Sequence, residues 1–175
     1  PERLRVMLET LHPQRIFALY QALNERGPAA IPDLAAVTGY DPWFLHEMAG
    51  QIALERRVAS GDLTPALLLE AKRAGLSDRR IASLRGTQEE AVEALRRQHG
   101  IEAVYHFVDT CAGEFEARTP YFYSTWGEAD EGEPFADPAV MILASGPNRI
   151  GQGLEFDTCC TLASFAYRRQ GVKTI

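Results

Sequence analysis

Lysine is nearly missing from this chain: of 18 basic side chains, only Lys72 and Lys173 are lysines. Acidic residues outnumber basic ones, and the imbalance is local. Residues 1–100 carry 13 basic and 13 acidic side chains, hence zero, whereas residues 101–175 carry 5 and 11, hence −6. There is no overall basic excess to neutralise a phosphate backbone, so bulk charge gives no case for nucleic acid. Cysteine is scarce as well. Cys159 and Cys160 are neighbours, which do not readily bridge, and Cys111 stands apart. That argues against a disulfide framework and leads to the expectation of a reducing, cytoplasmic setting with buried structural thiols. No C-x-x-C occurs, and His99 and His106 have no ligand spacing to the thiols, so no metal site is expected. No window approaches eighteen apolar residues, which removes a membrane-spanning helix and a membrane partner from consideration. The opening "PERLRVMLET" has neither an initiator Met nor the layout of a secretory signal.

What is present is regular punctuation. "HPQRIFALYQALNERG" puts Ile16, Phe17, Leu19, Tyr20 and Leu23 on one broad face and stops at Gly27. "DPWFLHEMAGQIALERR" opens with Asp41 as N-cap and Pro42 at the first helical position, where its missing N–H costs nothing. "TPALLLEAKRAG" repeats the device with Thr64, Pro65 and Gly75. "SDRRIASLRG" uses Ser77 and Gly86, and "TQEEAVEALRRQHG" has Thr87 and Glu90 at capping-box spacing. Such short helices do not persist alone. They predict a bundle of six or seven, with Leu67, Leu68, Ile81, Leu84, Val92 and Leu95 in the core. Trp43 and Phe44 are expected in the core ahead of an interface.

The texture changes after Gly100. "IEAVYHFVD" reads as a strand. About thirty residues without a sustained period follow, which marks a functional or disordered loop. Phe115, Tyr121, Tyr123 and Trp126 are expected to fold back onto the bundle, and "GEADEGEP" reads as an acidic solvated linker. From Ala139 a third texture begins. "AVMILAS" is a buried-strand run, "GPNRIGQG" a glycine loop, "LEFDTCCTLASFAYRRQG" a helix and "VKTI" a strand, together one βαβ unit. The fold class is therefore mainly α: a bundle of short helices, an irregular loop, then a truncated α/β unit. The boundary is placed between 1–133 and 134–175. A lone βαβ unit leaves one sheet face bare, so the chain is expected to be a piece of something larger.

The glycine loop is the candidate binding site. It lacks the Lys-Ser/Thr of a P-loop and is not G-x-G-x-x-G. Gly146, Gly151 and Gly153 permit close backbone approach, and a following helix N-terminus suits a small anion. Arg149 offers a fork for carboxylate or phosphate, and Glu155 suits the first helical turn. Spacing alone leaves two readings open: Arg149 and Glu155 serve a ligand, or they pair and pin the loop.

The stretches "DPWFL", "LTPALLLEAKRAGLSDRRIA", "VDTCAGEFEARTPYFYST" and "GPNRIGQGLEFD" occur in order. Together they resemble the large subunit of glutamine-dependent carbamoyl phosphate synthase, from about residue 41 onward. The resemblance implies a helical oligomerisation domain followed by the start of the second ATP-grasp half. It implies an ATP-dependent ligase as the parent, serving arginine and pyrimidine synthesis, with Mg or Mn carried by ATP elsewhere in that parent. It also implies self-association, a glutaminase small-subunit partner, and Arg149 and Glu155 as lining of a carbamate tunnel, with no catalytic residue in this segment. One departure stands out: Ser145 occupies a position where the family often has Gly. The rival reading is a helix-turn-helix or other interaction module over residues 72–97, where seven basic side chains face four acidic ones.

Overall fold

The computed structural model describes residues 2–116, 121–144 and 151–175. Two units separate, residues 1–130 and 131–175. Among the described residues the first contains seven α-helices: α1 (Glu2–Glu9), α2 (Arg15–Arg26), α3 (Ile31–Thr38), α4 (Pro42–Ser60), α5 (Pro65–Arg73), α6 (Asp78–Arg85) and α7 (Glu89–Gln98). A 3-10 turn, Pro28–Ala30, precedes α3. Strands β1 (Val104–Phe107) and β2 (Phe122–Thr125) follow as an antiparallel pair. The fold is mainly α, as the punctuation predicts.

Three of the anticipated caps form. Asp41 accepts from the Trp43 N–H, Thr64 from Leu67 and Ser77 from Arg80. Each satisfies one orphan donor and contributes about 1 kcal/mol. Gly86 ends α6 in the left-handed region, with the Thr87 N–H returning to the Ala82 carbonyl. The Thr87–Glu90 box does not form. Gln88 is the cap residue of α7 and no side chain caps it. The Thr87 N–H is already committed to closing α6, so that residue belongs to the preceding stop.

The bundle has two cores, and α4 serves both. Its front half sends Leu45 and Ile52 into a cluster with Leu19, Leu23, Ile31 and Leu34. Its rear half sends Leu54 and Val58 into another with Leu68, Ala71, Ile81 and Val92. Leu45 and Leu54 lie nine residues apart, about 180° around the helix axis. The helix thus buries opposite sides at its two ends. Three expectations are corrected by the observed burial. Trp43 and Phe44 are 61% and 51% exposed, because the front core uses the side carrying Leu45. On α2, Ala18 and Ala22 join Leu19 and Leu23 inside, while Ile16 and Phe17 face out. Leu84 and Leu95 pack against the rear core but are only partly buried.

Polar bridges tie the helices where the cores do not. Glu55 on α4 accepts a two-pronged bond from Arg80 on α6, at 2.9 and 2.6 Å, and a bond from the Tyr20 hydroxyl on α2. Arg80 holds the Glu55 carboxyl below its ordinary range. Burial, reinforced by that carboxylate, pushes the Tyr20 phenol up to about 12. The rear core is closed by a second bridge. Asp78 sits between Lys72 (2.7 Å) and Arg96 (3.1 Å), and the Lys72 side chain is only 6% exposed. Burial raises the Asp78 carboxyl, but the bonds and charges of the two cations outweigh it and hold the group low.

Trp126 lies over this triad. Lys72 Nζ is 4.7 Å and Arg96 Cζ 5.2 Å from its ring centroid, and Arg73 donates to its carbonyl at 2.9 Å. The hairpin β1–β2 is thereby seated on the bundle, with Ile101 buried in the rear core. Of the aromatics expected to fold back, Trp126 does so. Phe115, Tyr121 and Tyr123 stay exposed. Strand β2 lies inside the stretch read as irregular, since four residues are too few to establish a period.

Two outcomes follow. The Tyr20 pKa is raised on folding, so its contribution is complete below about pH 10 and lost as pH rises towards 12. Ultraviolet titration should show one of the 6 tyrosines ionising near that value. Tyr20→Phe should remove that step and Glu55→Gln should lower it. Asp78→Asn should cost about 3 kcal/mol in urea unfolding by leaving the Lys72 charge uncompensated. Because the folded Asp78 pKa is depressed, that difference should be present above about pH 4 and fade as pH falls below it.

Candidate functional site

The second unit, residues 131–175, contains β3 (Ala139–Val140), α8 (Gly153–Arg169) and β4 (Lys173–Thr174) among its described residues. The strands pair in parallel, with Ala139 opposite Lys173 and Val140 opposite Thr174. The ladder continues through Ile142 N–H to Ile175 O (2.8 Å) and Ile175 N–H to Val140 O (2.9 Å). A hydroxyl pair, Ser164 with Thr174 at 2.7 Å, ties α8 to β4. Lys173 pairs with Asp137 at 3.2 Å and lies 5.1 Å from the Phe135 ring centroid. The linker end is thus fastened to its own unit. "AVMILAS" forms a shorter strand than its apolar run suggests, with Met141 and Leu143 exposed.

Gly151 has φ +88°, in the left-handed region that favours glycine. Gly153 begins α8, and Gln152 before it offers no side-chain cap. The first amides of a 17-residue helix are therefore without a side-chain cap, and the basic pair Arg168 and Arg169 occupies its last turn. Among the described residues of this turn, the left-handed Gly151 leads through Gln152 directly into the start of α8. Of the site residues read from sequence, Gly151 and Gly153 fall within this turn. Gly146 and Arg149 lie outside the described residues, as does the side chain of Glu155, whose backbone belongs to the first turn of α8.

Cys159 is exposed, Cys111 and Cys160 are half-buried, and none is in a disulfide, which corrects the expectation of buried thiols. Among the described residues no cluster of His, Cys, Asp or Glu could hold a metal ion. No helix is long and apolar enough to cross a membrane. The helix-turn-helix reading meets a specific obstacle in residues 72–97. Lys72 and Arg96 bind Asp78, Arg73 binds Trp126, Arg80 binds Glu55, Arg97 binds Glu93, and Arg85 donates to the Val58 and Gly61 carbonyls. Six of the seven basic side chains are thus spent inside the unit. What sequence reasoning missed are the groups that receive Trp126: the Lys72–Asp78–Arg96 triad under its ring and Arg73 on its carbonyl, which no local spacing signals.

The chain is thus mainly α, a helical bundle followed by a small strand–helix–strand unit. Residues 1–100 match the family described as carbamoyl-phosphate synthetase large chain, oligomerisation domain, and residues 136–175 match the carbamoyl phosphate synthase preATP-grasp domain. The chain belongs to the carbamoyl-phosphate synthetase large-chain family. It is 46% identical to the carbamoyl phosphate synthase large chain of Nostoc sp. over 99% of its own length and 16% of that relative. It is 47% identical to the large chain of Thermoanaerobacter pseudethanolicus, covering 92% and 15%. Against that of Methanothermobacter thermautotrophicus it is 44% identical, covering 98% and 16%. The chain therefore spans about one sixth of the length of these curated relatives.

With its cations so engaged, the chain should show no binding to random duplex DNA tighter than about micromolar in a low-salt anisotropy titration.

Proposed function

We propose that this chain is the joint of a carbamoyl-phosphate synthetase large chain: an oligomerisation domain in 1–100 and the opening of a preATP-grasp domain in 136–175. The observation that carries this reading is the order of the two family matches along one chain, with 101–135 between them. The parent is an ATP-dependent carbon–nitrogen ligase that makes carbamoyl phosphate from bicarbonate, ammonia released from glutamine, and two ATP. The rest of the large chain binds MgATP or MnATP, a glutaminase small subunit supplies ammonia, and this segment alone is inactive. The enzyme works in the cytoplasm. The segment contributes self-association and one stretch of the path along which carbamate travels.

Arg149 and Glu155 line that path. Carbamate hydrolyses readily and needs a route that excludes bulk water. A guanidinium beside a carboxylate contacts a carboxylate-like traveller while each offsets the other's desolvation. The left-handed Gly151 and the helix start that follows it support the reading, because a helix N-terminus aims backbone N–H groups into the same stretch of chain.

In the large chain paired with its small subunit, Arg149→Ala should lower glutamine-dependent carbamoyl phosphate synthesis about tenfold or more. The two partial reactions, bicarbonate-dependent ATP hydrolysis and ATP formation from carbamoyl phosphate, should stay near wild type. Equal loss of all three rates would remove the lining role.

A further inference from the structure

The hairpin β1–β2 has two outer edges, and the structure engages one of them. The Val108 N–H donates to the Tyr121 carbonyl at 2.9 Å, continuing a register that pairs Phe107 with Phe122 and Tyr105 with Ser124. Antiparallel ladder bonds alternate, so the backbone groups of Tyr105, Phe107, Phe122 and Ser124 point away from the opposing strand. On the β1 side that outward row is in use. The Tyr105 N–H donates to Asp130 Oδ1 at 2.7 Å, and His106 Nε2 lies 3.0 Å from the Ala129 carbonyl. On the β2 side, among the described residues, the backbone of Phe122 and Ser124 meets no partner and no further strand adjoins.

The two faces differ as well. On one, Val104, His106 and Thr125 are half-buried, and a Cβ added at Gly127 would stand 2.8 Å from the His106 ring. The other carries Tyr105, Phe107 and Phe122, which are 54%, 39% and 46% exposed, with the two phenyl centroids 4.3 Å apart. The pairing register puts these three aromatics on one surface, beside the open edge. Residues 101–130 hold 6 acidic side chains and 1 basic, hence −5. Glu102, Glu114 and Glu128 are exposed and join no ion pair among the described residues. A bare edge next to exposed aromatics invites aggregation unless it is permanently covered. Two copies pairing β2 on β2 would set −5 against −5, so the cover is a segment of opposite charge. A cover that must always be present is best supplied by the same polypeptide, at the effective concentration of a tethered segment.

We propose that an extended, basic segment of the parent large chain, from outside residues 1–175, adds a third strand to the open edge of β2. Its backbone pairs with Phe122 and Ser124, its apolar side chains lie over Tyr105, Phe107 and Phe122, and its cations answer the acidic excess of 101–130. The proposal rests on the reading of this chain as one sixth of a longer large chain. It gives a binding role to residues 101–135, the interval between the two family matches.

Residue-resolved amide hydrogen exchange on the intact large chain tests this. The Tyr123 and Thr125 amides point into the hairpin and serve as the internal reference. In the large chain alone, the Phe122 and Ser124 amides should exchange within about tenfold of those two, whereas open amides would run at least about 100-fold faster. The rates should be the same at about 1 and about 50 μM protein. They should rise at about 1 M salt, as the charges are screened. Ser124→Pro deletes an outward N–H and leaves the β1 ladder intact, since proline is tolerated where an edge N–H faces away. It should speed Phe122 exchange at least about 30-fold while Tyr123 stays slow. Fast exchange at Phe122 and Ser124 in the unaltered large chain overturns the third strand and leaves the family reading standing. Protection that appears only at the higher concentration, or only with the small subunit bound, overturns the occupant. Protection indifferent to salt overturns its basic character. A natural chain of only 175 residues would remove the parent and the proposal together.

Discussion

Asp78 is the group on which the rear half of the bundle turns. It answers two cations at once, and one of them, Lys72, has almost no access to water. An unpaired ammonium in that position would carry a desolvation cost of several kcal/mol. With the carboxylate in place, both cations are fixed, and their fixed positions make a seat for the Trp126 ring. Arg96 also donates to the Ile101 carbonyl at 2.8 Å, so the same side chain that holds Asp78 directs the exit from α7 towards β1. A two-stranded hairpin has little stability of its own. This one is ordered by where it is fastened, through an ion pair, an indole and one buried isoleucine.

The front half is organised by a different device with the same logic. Arg15 is buried against carbonyls, so its donors fix backbone segments at defined distances. Between the halves, the Tyr20–Glu55–Arg80 chain links α2, α4 and α6 across the region where α4 switches its buried side. In each case arginine supplies several donors in a planar fork, which a lysine could not. The scarcity of lysine, read from the sequence as a matter of composition, thus also supplies the structure with its connectors.

That economy bears on function. With six of the seven cations of residues 72–97 engaged within the unit, that stretch presents few charges for an anionic polymer. The acidic excess lies in residues 101–175. In the second unit the fastening points are Lys173 with Asp137 and Ser164 with Thr174, which tie β4 to the chain just before β3 and to α8.

The helix boundaries were decided by local chemistry and were legible as letters: Asp41, Thr64 and Ser77 cap because a side-chain oxygen reaches its own helix, and Gly86 stops because only glycine accepts that backbone without strain. The left-handed Gly151 ahead of α8 was legible for the same reason. What only the tertiary structure decided is which side of each helix is inside. On α4 the buried side reverses along its length, so no single period exists in the sequence to betray it, and Trp43 and Phe44 read as core when they are surface. Thr87 looked like a cap for α7, but its amide closes α6; nothing in the spacing says which helix has first claim. Strand β2 acquires its identity from its pairing with β1, a partner more than a dozen residues away. The rule is one of range: caps and stops act within one helical turn, whereas burial, strand pairing and ion-pair choice depend on neighbours that the chain brings together only by folding.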